Sequence, residues 1–453
     1  MGTTGAAERC ENQHVIPISL TRHGRRAHQA THLHATAGRA KGDKTIRVAD
    51  IMSRQKIAII GGGPAGLMAA EMLSRADHSV TVYDSMPTVA RKFLLAGKSG
   101  LNITHAEDYA RFAERFGHSA NRLRPALDAF GPDDVRAWAA GLDTETFVGS
   151  SGRVFPRAMK ASPLLRAWLT RLRAQGVTIL TRHRWSGFGN DGHVFDTPHG
   201  QQTVACDATL LALGGASWPR LGSDGHWAAA LAEKGVQITP FRPANCGFDV
   251  AWSDSFRQRY AGAPLKSVTA TSDAGTFPGE FVVGRHGIEG SLVYAHAAAL
   301  RDRLEVSGHA ALLVDLAPGR SANRLSKDLA RQDGKASFSN RLRKGAGLEG
   351  VKTALLRELV PAADLGDLDR LSHWIKALPI PVLRPRPIAE AISSAGGIAW
   401  ASVDEAYMLK AVPGIFVAGE MLDWEAPTGG YLLTACLATG KSAADGIQTW
   451  LMR

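Results

Sequence analysis

The chain is poor in cysteine and never pairs it. Its 453 residues hold Cys10, Cys206, Cys246 and Cys436, widely spaced and never as C-x-x-C. This excludes a zinc ribbon and a dithiol redox pair, and leaves no local thiol pair of the kind a disulfide reductase needs beside its cofactor. Each cysteine reads as a small buried hydrophobe. No window approaches the roughly 18 apolar residues of a membrane span, and no apolar h-region marks a signal peptide. Metal-ligand spacings and repeats of fixed period are absent as well, so no metal is expected.

Long runs of one charge are also missing, although the formal net charge is +11. Met1 to Asp50 hold eight basic against four acidic side chains, a net of +4, and the rest is spread over the body. Such a surface excess is solvated rather than a nucleic-acid footprint. Residues 1–51 lack apolar periodicity and read as a disordered extension. Their Arg-rich, acid-poor composition shares features with a transit peptide. Met52 sits just ahead of the first strand, however, which favours an upstream extension of a cytoplasmic protein. With 45% apolar and 21% charged residues, the body has the composition of a globular chain of two or three domains.

What is present begins at Lys56. KIAII is a short, β-branched apolar run of the kind buried in a parallel sheet, and it stops at Gly61. Gly61, Gly63 and Gly66 follow at G-x-G-x-x-G spacing. The first permits a tight turn, the second lets backbone approach a pyrophosphate, and the third lets the helix pack on the strand. Pro64 and Ala65 open that helix, whose free N–H groups attract an anion. SVTVY reads as a second strand and ends at Asp84, 23 positions beyond Gly61. An acidic residue at that distance meets ribose hydroxyls and repels a 2′-phosphate.

Farther on, residues 90–105 form a glycine-interrupted loop containing Lys92, Lys98, Asn102 and Thr104, where backbone can approach a ligand. Residues 107–145 read as helical. Ala208 to Leu213 read as a buried strand ending at Gly214 and Gly215. From about Val236 short alternating segments predict a β-barrel or sandwich-like insert. Residues 321–378 read as helical and basic, and 379–392 as extended and proline-limited. Near the end, GIFVA predicts a strand followed by Gly419 and Glu420. Gly429 and Gly430 then open a last helix, a second set of free N–H groups suited to an anion or an electron-rich edge.

Several longer segments occur together and in order: IAIIGGGPAGLMAA, RKFLLAGKSGLNITH, GRVFP, LLALGGASWPRLGSDG, GRHGIEGS, SSAGGIA and GIFVAGEMLDWEAPTGGYLLTACLATG. On these the chain resembles the HI0933-like (YhiN, BaiN/RdsA) family of NAD(P)/FAD-dependent oxidoreductases, in its AGKxGLN subgroup. The resemblance covers about residues 56–450. It implies an α/β fold: a Rossmann-like two-dinucleotide-binding FAD domain from 52–235 and 393–453, a β-barrel-like insert from 236–320 and 379–392, and a helical subdomain from 321–378. FAD is then the expected cofactor. It would be held by Gly61, Gly63, Pro64, Ala65, Gly66, Asp84, Lys92, Asn102, Thr104, Gly214, Gly215, Gly419, Glu420, Asp423, Gly429, Gly430, Tyr431 and Leu432.

Two departures matter. Where most of the family has G-G-G-R-C-N, this chain has Gly97 to Asn102 as GKSGLN, so no role of that Arg or Cys carries over. The family's Gly-Gly-Tyr-Asn lacks its Asn here. Flavin carries the chemistry in such enzymes. The acid/base or substrate-contact candidates are therefore His286, in the GRHGIEG match, and Tyr431, beside the flavin-facing helix. There is no second G-x-G-x-x-G, so NAD(P)H, if used, is a transient visitor to the cleft. The leading expectation is hydride transfer through the flavin on a small organic substrate. The alternatives are a flavin-dependent RNA-modifying enzyme, using a basic face of the helical subdomain, and a non-catalytic FAD-binding redox sensor.

Overall fold

The computed structural model describes residues 54–97 and 100–453. The extension expected over 1–51 and the loop residue Lys98 lie outside the described residues.

Strand β1 (Lys56–Ile60) forms where the sequence reading puts it, and all but its first residue are buried. Apolar residues on both faces are what a parallel sheet covered by helices demands. Helix α1 (Pro64–Arg75) follows, then β2 (Ser79–Asp84), α2 (Ala161–Ala174), β3 (Thr178–Thr181) and β4 (Ala208–Leu211). Near the C-terminus come β5 (Ile415–Val417) and α3 (Tyr431–Leu451). The five strands make one parallel sheet in the order β5, β4, β1, β2, β3. The first and last parts of the described chain thus build a single Rossmann-like layer. Helix α3 lies against α1 so closely that a Cβ at Gly440 would be 2.3 Å from the Ala65 carbonyl oxygen.

Between β3 and β4 the chain makes a three-stranded antiparallel sheet, Arg184–Gly189, Gly192–Thr197 and Gly200–Val204, which the sequence reading leaves unassigned. Its signal is present in the alternation of HVFDT and in the turn at Pro198 to Gly200.

Ile238–Ala244 and Ser393–Ile398 pair antiparallel as the chain leaves and rejoins the parallel-sheet layer. Beyond them a seven-stranded antiparallel sheet has Leu378–Val382 at one edge and Arg384–Pro385 at the other. Only Leu383 separates these two edge strands in sequence, so the sheet curls until it nearly closes. Four helices accompany it: Ala322–Ala330, Phe338–Ala346, Val351–Leu359 and Leu368–Lys376. Three of them start on side-chain caps, with Ser321, Ser337 and Asp367 accepting from first-turn N–H groups. The buried apolar residues form two separate cores, one around the parallel sheet and one around the curled sheet and its helices. No helix among the described residues is long and apolar enough to cross a membrane.

Candidate active site: a dinucleotide cleft

The glycine turn after β1 and the segment after β5 face each other across a cleft of about 780 Å³, open solvent at its mouth included. Each glycine of the fingerprint has a different job. Gly61 sits at φ +111°, and a Cβ there would lie 2.2 Å from the Ala212 carbonyl oxygen. A Cβ on Gly66 would lie 2.0 Å from the Gly61 oxygen, which seats α1 on the turn. Gly63, the N-cap of α1, has φ −80°, and a Cβ there would meet nothing within 4 Å. Its open side belongs to the cleft.

Asp84 closes the far side of the turn. Its carboxylate accepts from the backbone N–H of Gly62 at 2.9 Å and of Met86 at 2.8 Å. Burial pushes this carboxyl above the usual range, and those two N–H groups and Arg91 oppose the shift. Across the cleft Lys92 donates to Glu420 at 2.7 Å and to Ser217 at 3.0 Å, an ion pair that ties the short helix Arg91–Ala96, where the sequence reading expects a loop, to the segment after β5. Cys436 reaches the cleft from α3. Burial pushes its thiol well up, so it stays an inert hydrophobe.

Of the residues expected to hold the cofactor, Gly61, Gly63, Pro64, Ala65, Asp84, Lys92, Gly214, Gly419 and Glu420 line this cleft. Gly66 lies behind it. Asn102, Thr104, Gly215, Asp423, Gly429, Gly430, Tyr431 and Leu432 lie outside its lining. Thr104 and Gly430 nevertheless touch, since a Cβ on Gly430 would meet Thr104 backbone at 2.5 Å. The Asp423 carboxylate is held by the Thr239 hydroxyl at 2.7 Å. The Tyr431 hydroxyl donates to Glu107, and its ring stacks on His105 at 5.3 Å and 19°. His286 is exposed on the turn before Gly287–Glu289, where its carbonyl accepts from Val250. The sequence reading misses Gly62, Arg91, Ser223, Cys436 and, from the unassigned antiparallel sheet and its approach, His183 and Trp185.

The cleft suits FAD on three observations: the open side of Gly63, the carboxylate of Asp84 in the cleft lining, and a buried polar atom without a partner. Among the described residues Arg91 Nε, in the cleft wall, is one of four such atoms. A buried donor on an arginine, left unpaired by protein, fits an anionic ligand.

Trp185 is braced from behind by His193. An indole N–H can only donate, so His193 Nδ1 accepts from it at 3.2 Å, which puts the proton on Nε2, 2.6 Å from the Thr209 hydroxyl. Burial lowers the His193 pKa from the ordinary 6.5 to about 4. A depressed folded value means that the stabilisation is complete above 6.5 and is lost as pH falls toward 4, by about 3 kcal/mol at most. Melting temperature should therefore fall less steeply between neutral pH and about pH 5 in His193→Gln than in wild type. Parallel slopes would refute this.

The HI0933-like protein Rossmann domain matches residues 55–446. The chain belongs to the HI0933-like family. It is thereby a Rossmann-type flavoprotein oxidoreductase with FAD as cofactor. Over 403 residues this HI0933-like chain is 24% identical to the 3-dehydro-bile acid delta(4,6)-reductase of Clostridium scindens, covering 86% of this chain and 98% of that protein. It is 26% identical over 240 residues to the ribosomal RNA dihydrouridine synthase of Haemophilus influenzae, covering 52% of this chain and 59% of that protein. The solved 3-ketosteroid delta1-dehydrogenase of Sterolibacterium denitrificans shares the fold. It aligns at TM-score 0.51 and 12% identity, over 87% of this chain and all of that one.

Proposed function

We propose that the protein is an FAD-dependent reductase of a small unsaturated organic compound, with NAD(P)H as the electron donor. The observation that carries the reading is the cleft built jointly by the N-terminal glycine turn and the Gly419–Glu420 segment, supported by similarity to the bile acid reductase along nearly its whole length. When bound, FAD supplies hydride chemistry that no side chain can. The chain's own residues bind and orient it. Gly63 leaves room at the start of α1, Arg91 offers a free donor, Asp84 selects an unphosphorylated ribose, and Lys92 with Glu420 fixes the spacing of the two cleft walls. A cytoplasmic location is part of this proposal.

The decisive test is the visible spectrum of the purified protein, followed by anaerobic titration with NADH and with NADPH. Bleaching by one of them supports the reductase and names its donor. Reduction by neither leaves an oxidase or a redox sensor. Asp84 further predicts that heat-released cofactor has the mass of FAD, because an FMN site has no adenosine ribose to recognise. Finding FMN would refute that assignment.

A second reading, RNA modification, is favoured by the similarity to the dihydrouridine synthase. The basic helix Ala322–Ala330 and its flanks speak against it, since Arg320, Arg324 and Arg331 all lie within 4 Å of the Asp328 carboxylate. A salt-dependent mobility shift with ribosomal RNA would favour it.

A further inference from the structure

Arg301 is the most deeply buried cation of the curled-sheet half, only 1% exposed, yet every donor it has is used. Its Nε and Nη2 both donate to Asp302 Oδ1, at 2.9 and 2.8 Å. Nη1 donates to the Pro243 carbonyl at 3.0 Å, and Nη1 and Nη2 grip the two oxygens of Glu425 at 3.0 and 2.7 Å. Arg301 stands on the helix Ala297–Ser307, packed in the second core. Glu425 belongs to the first domain, on the loop between Gly419–Met421 and α3. The two halves have separate apolar cores, so their junction here is made by a fully satisfied charge pair. Beside it Arg242 pairs with Asp302 and Glu305, and Asn245 donates to the Ala426 carbonyl at 2.8 Å.

The loop that Glu425 occupies is pinned along its length. Thr239, Ser119 and Trp400 hold Asp423, and the Trp424 indole donates to the Gly419 carbonyl at 2.9 Å. Glu425 and Ala426 are the last of these fixed points before Pro427, Thr428, Gly429 and Gly430, and Gly430 is the N-cap of α3. A buried ion pair adds little stability over a well-packed apolar pair of the same volume, so what it can contribute is geometry. The planar fork of an arginine sets the position and the orientation of a carboxylate together, which an ammonium cannot.

We infer that Arg301 is a positioning residue. Through Glu425 it holds the loop that runs back through Trp424 to Gly419 and Glu420 in the cleft wall, and so links the position of the curled-sheet half to the flavin's surroundings. This rests on the FAD reading above.

The test compares wild type, Arg301→Lys and the double variant Arg301→Met/Glu425→Leu. The readouts are the visible spectrum of bound flavin, the FAD dissociation constant and the melting temperature. The double variant leaves neither member of the pair as an unpaired buried charge, so it should melt near wild type. It should nevertheless bind FAD about tenfold more weakly and with a displaced visible band. Arg301→Lys keeps the charge but not the fork, and should show the same spectral change. If the double variant does not fold, the lysine variant decides by the same two readings. Wild-type affinity and spectrum in the variants would overturn the inference while leaving the FAD assignment standing. A wild type that takes up no flavin would overturn both.

Discussion

A Gly63→Ala variant should fold normally and lose FAD. The backbone at Gly63 is in an ordinary extended conformation, φ −80° and ψ −178°, so alanine meets no left-handed strain there. Nothing in the protein lies within 4 Å of the added methyl group. Two small terms act on the apoprotein: alanine is a poorer N-cap than glycine, and it narrows the unfolded ensemble. They have opposite sign and leave a net change within about 1 kcal/mol. What the methyl does occupy is the open side of the turn, where the middle glycine of this fingerprint lets backbone approach a pyrophosphate. Gly61→Ala is the contrast. At φ +111°, with the Ala212 oxygen 2.2 Å away, it should destabilise the chain with or without cofactor, by about 3 kcal/mol or more. FAD stoichiometry as purified, together with melting of the flavin-free proteins, separates the two. A Gly63→Ala protein carrying a full complement of FAD would refute the assignment of that glycine to the phosphate.

The N-terminal wall of the cleft was legible because its rules are local. A buried strand, three glycines at fixed spacing and an acid at the end of the next strand all lie within 30 residues, and each has a steric or electrostatic reason readable one position at a time. Gly62 escaped because its constraint is tertiary: a Cβ there would press on Val89 and on the Asp84 carboxylate. Trp185 and His183 escaped because the alternation of RWSGFG and GHVFDT marks an antiparallel sheet but carries no local sign that this sheet and its approach reach the cleft. Tyr431 shows the converse. Its place after two glycines at a helix start is plain in the sequence, but the groups that engage its hydroxyl and ring, Glu107, His105 and Phe112, come from more than 300 residues away. The second sheet nearly closes, as the β-barrel-like insert expected from its short alternating segments requires; which segments take its two edges is not legible locally.

The same blindness hid Glu71, and a large stability effect is expected there. In the sequence it is the first charged position of a helix that is apolar up to that point, the kind that normally faces water. In the fold α1 is covered on nearly all sides, and Glu71 is fully buried. Its carboxylate accepts from four donors: the Trp138 indole at 3.1 Å, the Trp168 indole at 2.8 Å, Arg171 at 2.9 Å, and Arg75. The two indoles, edge to face at 4.7 Å, thereby join α1 to Pro132–Ala140 and to α2. Glu71→Gln has the same shape but one acceptor oxygen instead of two. Its amide would turn donors toward donors and leave Arg171 without a counter-charge. Breaking a buried pair from one side costs about 3–5 kcal/mol, which for the compact unit Arg54–Arg453 lowers the melting temperature by roughly 5 °C. Because Glu71 does not line the cleft, the folded fraction should still carry FAD in full. Thermal melting and flavin content of the glutamine variant together check this, and a melting temperature equal to wild type would show that the four donors are as well satisfied without the charge.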